Sequence, residues 1–128
     1  MPLPLHRTFD ELARVAEAEV ERTLKKLPAP LRAAAGELPV TFESVPGPEL
    51  VADGFDPDLL GLFVGPEFAE SEAGGDVPSQ IILFLESLWD YAEGSEAAFR
   101  EEVRTTFLHE LGHYLGLNEP DLEDRGLE

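Results

Sequence analysis

The stretch Thr106-Phe107-Leu108-His109-Glu110-Leu111-Gly112-His113-Tyr114-Leu115-Gly116-Leu117-Asn118-Glu119 holds the residues best suited to chemistry. On a helix, His109 and His113 project from the same face, one turn apart. Two imidazoles so placed can each reach one metal ion at about 2 Å. Glu110 leaves the helix about a quarter turn away. From there its carboxylate misses the ion but reaches a water bound on it, which is the place of a general base. Catalytic zinc commonly takes three protein ligands and leaves the fourth position to water. Gly116 stands where a left-handed residue can end the helix and turn the chain back, bringing Glu119 or Asp121 toward the histidine pair as the third ligand. The pattern is that of a single-zinc hydrolytic site, with one Zn²⁺ per chain.

A long helix must carry these residues. Ser95 is a suitable N-cap for it, with Glu96 in its first turn. Phe99, Val103, Phe107, Leu111 and Tyr114 recur as its buried stripe, while His109 and His113 fall on a neighbouring face with Thr106 and Glu102. That separation favours a site over two core histidines. The acids from Asp121 onward suit a short terminal helix beginning near Asn118 or Glu119.

The preceding elements read as scaffold. Thr8-Phe9-Asp10-Glu11 forms a capping box, and Phe9, Leu12, Ala16, Val20, Leu24 and Leu27 follow at three- and four-residue steps. Glu17, Glu19 and Glu21 read as its solvated face, and Pro28 stops it. Pro30 to Ala35 predicts a short helical piece closed by Gly36. Val40 to Glu43 alternates as a half-buried strand, and Glu49 to Ala52 is compatible with a helical turn. Leu59 to Val64 reads as a second strand, and Gln80 to Leu85 as the strongest one. Glu67 to Pro78, with Gly74-Gly75, reads as a surface loop. Leu88 to Ala92 predicts a helical turn with Trp89 and Tyr91 packed inward.

Composition narrows the classes. Hydrophobic residues make up 43% of the 128 residues, enough for one core in one domain, 1–128. The net charge of −18, from 27 acids against 9 Lys and Arg, opposes binding to nucleic acid and to anionic membranes. With no cysteine, disulfides, thiolate zinc sites and a cysteine nucleophile are excluded. The start shows no signal-peptide pattern, and Ile81 to Phe84 is too short to span a bilayer. A soluble protein in a reducing cytoplasm is the expectation.

At the motif the chain resembles the zincins, and more closely a small bacterial family of minimal zincin-like metallopeptidases. That family's pattern, as in the Asp-zincins, is His-Glu-x-x-His-x-x-Gly-x-x-Asp. Here it runs from His109 through Gly116 to Glu119, which stands where the pattern has Asp. The run Leu59 to Phe63, the strand leading into the long helix and the tail Asp121 to Leu127 are similar to the family's order of elements. The resemblance implies an α+β fold, with a small mixed sheet of about three strands packed on the N-terminal helix and the long motif helix. It carries His109 and His113 over as zinc ligands and Glu110 as catalytic base. Glu119 becomes the favoured third ligand and Asp121 its competitor. The activity implied is zinc-dependent hydrolysis of peptide bonds in a peptide or protein. The alternatives are an inactive zincin-like protein-binding module and a metal-stabilised structural domain. Oligomeric state is not legible.

Overall fold

A computed structural model of the chain describes residues 8–66 and 79–117. The order of elements is α1 (Phe9–Lys25), α2 (Ala29–Ala35), β1 (Val40–Glu43), α3 (Pro48–Ala52), β2 (Gly61–Val64), β3 (Gln80–Phe84), α4 (Leu85–Tyr91) and α5 (Glu96–Tyr114). The expected loop from Glu67 to Pro78 and the expected terminal helix lie outside the described residues.

Three strands form a mixed sheet in the order β1-β3-β2. The central strand β3 runs parallel to β1, with Val40 opposite Ile81, and antiparallel to β2, with Gly61 opposite Leu83. Ile81, Leu83 and Phe84 of β3 are fully buried, as befits the central strand. Among the described residues β2 is an edge strand. The fold is α+β, with the sheet, the N-terminal helix and the long helix that the zincin-like resemblance implies.

α5 is the element on which the others converge. It contacts β2 and β3 on one side and α1 and α4 on the other. The expected stripe of Phe99, Val103, Phe107, Leu111 and Tyr114 is buried throughout. Each such side chain contributes roughly 1.5–3 kcal/mol by leaving water. Phe99 also meets the ring of Trp89 edge-on, at 5.6 Å between centroids. At its start, the Ser95 side chain accepts a hydrogen bond from the Ala98 N–H at 3.2 Å. α1 opens on the expected capping box, with Thr8 and Glu11 bonded reciprocally.

Several elements differ from the sequence reading. β3 ends at Phe84 and α4 begins at Leu85 with no loop between them. The cause is a change of period: Leu85, Leu88, Trp89 and Ala92 are buried at three- and four-residue spacing, which extends the helix back from Leu88. Tyr91 is 63% exposed rather than packed inward, because two positions after the buried Trp89 it faces the opposite side of α4. Glu19 is buried rather than solvated. Where α1 crosses α5 it lines a small cavity with Thr23, Lys26, Leu27, Arg104 and Leu108, and its carboxylate pairs with Arg22 at 3.3 Å. Phe9, in the first turn of α1, stays 40% exposed. β2 starts at Gly61, two residues later than expected, and α3 already includes Pro48.

Candidate metal centre

The last three turns of α5 present two ridges. Thr106, Glu110 and Tyr114, each four residues from the next, lie along one line of the helix and are all buried. His109 and His113 form the adjoining line, half-buried and exposed respectively. Their rings are tilted by 57° to one another, with centroids 4.8 Å apart. Two imidazoles on one zinc ion, with bonds of ~2 Å at a near-tetrahedral angle, stand about 5 Å apart between ring centres. The pair therefore fits a zinc ion in spacing and in donor chemistry.

Glu110 turns toward the sheet. Its Oε1 accepts a hydrogen bond from the Phe63 N–H of β2 at 2.9 Å, and the same oxygen lies 3.8 Å from His113 Nδ1. The first is a hydrogen bond, and the second lies beyond hydrogen-bond distance. The other carboxylate oxygen takes no hydrogen bond within the described residues. Glu110 lines an open cleft of about 380 Å³ with Glu102, Thr105, Thr106 and His109 from α5 and with Leu59, Leu60 and Gly61 from the approach to β2. One oxygen is thus anchored in the sheet while the carboxylate borders a space large enough for substrate.

The helix ends as its sequence demands. Gly116 adopts φ 73°, in the left-handed region that favours glycine. The Leu117 N–H donates to the Gly112 carbonyl at 2.8 Å and the Gly116 N–H to the His113 carbonyl at 3.1 Å. These two bonds make a Schellman turn, which ends the helix just after the second histidine. Glu119 and Asp121 follow this turn but lie outside the described residues. Among the described residues, no group of three His, Asp or Glu side chains converges to hold a metal ion.

The sequence model of the zincin-like metallopeptidase family matches residues 35–127, well over half of the chain. The chain belongs to this family. Comparison with individually curated proteins gives no match. The matched span of this zincin-like chain runs from the end of α2 through the motif helix; α1, which packs on α4 and α5, precedes it.

Sequence reasoning placed His109, Glu110 and His113 on one helix, and the structure brings those three side chains together. It also set Thr106 and Glu102 beside the histidines, and both border the cleft. It missed Thr105, the backbone of Leu59 to Gly61 and the Phe63 N–H. A backbone amide has no signature in residue type, and no local pattern links residue 63 to residue 110. The ring of Phe63 meets Tyr114 edge-on at 5.7 Å, so Tyr114 packs against the edge strand as well as the core.

Proposed function

We propose that this chain is a zinc-dependent peptidase. The observation that supports it best is the carboxylate of Glu110, anchored by one oxygen to β2 and set at the cleft beside two imidazoles with the spacing of a zinc pair. His109 and His113 would hold the ion, with Glu119 as third ligand or Asp121 in its stead. Zinc bound there would polarise a peptide carbonyl and ease the deprotonation of water near neutral pH. Glu110 would accept that proton and return it to the leaving amine. Its anchored oxygen keeps the carboxylate in place, so that transfer needs no reorientation of the side chain.

The cleft suits an extended peptide. In an antiparallel pair, alternate residues turn their backbone groups away from the partner strand. The Phe84 N–H donates to the Leu60 carbonyl at 2.9 Å, which leaves Gly61 and Phe63 facing outward from β3. A peptide lying beside β2 would find the Gly61 N–H and C=O and the Phe63 C=O along one wall. Neither nucleic acid nor a membrane is proposed as partner, given the charge of −18. No helix among the described residues is long and apolar enough to cross a membrane, and action in the cytoplasm as one domain remains part of this proposal.

Calorimetric titration of chelator-stripped protein with zinc is the first test. About one equivalent should bind, and His109→Ala should abolish it. Glu110→Gln should keep zinc but lower cleavage of unstructured peptides by about 10²–10⁴-fold. Absence of zinc binding by the wild type would leave the inactive zincin-like protein-binding module. Zinc binding that raises Tm with no cleavage would leave the metal-stabilised structural domain.

A further inference from the structure

The strand that supplies the Phe63 amide to Glu110 packs tightly on α5 at Gly61. A Cβ built on Gly61 would lie 2.6 Å from Thr106 Cγ2, with Leu83 Cδ2 at 3.2 Å and the Ile82 carbonyl oxygen at 3.3 Å. Carbon atoms in contact prefer about 3.5–4.0 Å, so any side chain there must push the strand from the helix or displace Thr106. Thr106 lies one helical turn before Glu110, and Gly61 two residues before Phe63 on the same side of the strand. The Gly61–Thr106 contact and the Phe63–Glu110 bond are therefore successive rungs between one strand and one ridge. The Phe63–Tyr114 ring contact is the third.

We propose that Gly61 is a positioning residue for Glu110: its missing side chain lets β2 close onto Thr106, and that closure sets the Phe63 N–H against the carboxylate. The catalytic consequence rests on the peptidase reading, but the clamp itself does not. Its absence would free both oxygens of Glu110 and let the carboxylate rotate away from the cleft.

Amide hydrogen exchange on the metal-free protein tests the clamp directly. Phe63 faces outward from an edge strand, so its amide owes its protection to Glu110. Glu110→Ala should speed exchange at Phe63 by about tenfold or more, as expected for a hydrogen bond to a charged group. Gly61→Ala should do the same while Phe99 and Phe107 amides in α5 keep their rates. Thr106→Ser removes only the methyl carbon that the new Cβ would strike and retains the hydroxyl. Added to Gly61→Ala, it should return Phe63 to within about threefold of the wild-type rate. In the zinc-loaded protein Gly61→Ala should lower kcat, and added Thr106→Ser should restore it. An unaltered Phe63 rate in Glu110→Ala overturns the clamp. An unaltered rate in Gly61→Ala, or a faster rate that Thr106→Ser does not correct, overturns the role of Gly61. If the exchange series behaves as expected but no variant or wild type cleaves peptide, the clamp stands and the peptidase reading fails.

Discussion

The two ridges of α5 use neighbouring residues for opposite purposes. Thr106, Glu110 and Tyr114 are buried against β2, and each has a partner there: the bare backbone of Gly61, the amide of Phe63 and the ring of Phe63. His109 borders the cleft and His113 lies toward solvent, its side chain 53% exposed. Glu110 belongs to the first ridge by packing and to the second by chemistry. The difference teaches that the histidine ridge needs only a helix to be aligned, whereas the glutamate ridge needs a strand from elsewhere in the chain. A catalytic base that must hold one orientation is better anchored in the packed ridge than left on the open one.

The contrast can be broken most strongly at its ends. Tyr114→Ala removes a buried ring from the strand-facing ridge and should cost about 3–5 kcal/mol in urea denaturation of the metal-free protein. His113→Ala, one residue away on the cleft-facing ridge, should change that stability by less than about 0.5 kcal/mol while abolishing zinc binding. Equal losses from the two would show that the ridges are not distinct.

Gly116→Ala probes where both ridges end. At φ 73° an alanine should destabilise the turn by about 1–2 kcal/mol. Zinc affinity should also weaken where the proposed third ligand, Glu119 or Asp121, depends on this turn. A loss of stability with unchanged zinc affinity would separate the Schellman turn from the third ligand.

The smallest effect is expected from Ser95→Ala, at the far end of α5. Losing the cap bond to Ala98 should cost about 1 kcal/mol. Zinc affinity of the folded protein should stay as it is, because the cap lies more than three turns before His109. A change in affinity would mean that the histidine pair depends on the whole helix rather than on its own turns.

Much of this molecule follows from short-range patterns. The bounds of β1, the capping box at Thr8, the cap at Ser95 and the buried stripe of α5 were all legible, because each depends on residues within one element. The errors share a cause as well. Glu19 is an ordinary exposed acid by helical position until α5 crosses over it, and Tyr91 is an ordinary core aromatic until the orientation of α4 is known. Helical periodicity fixes which residues share a face, but not which face another element covers.

The same division runs through the candidate site. The four-residue step from His109 to His113, the intervening Glu110 and the helix end at Gly116 are set by helical geometry and by the conformational freedom of glycine, so the sequence alone determined them. Tertiary structure decided that β2 would be the antiparallel edge strand, that Gly61 would meet Thr106, and that an amide 47 positions earlier would hold the carboxylate. Those contacts depend on how a strand and a helix dock. That docking is governed by the summed burial of Ile81, Leu83, Phe107 and Leu111 rather than by any residue that takes part in the chemistry.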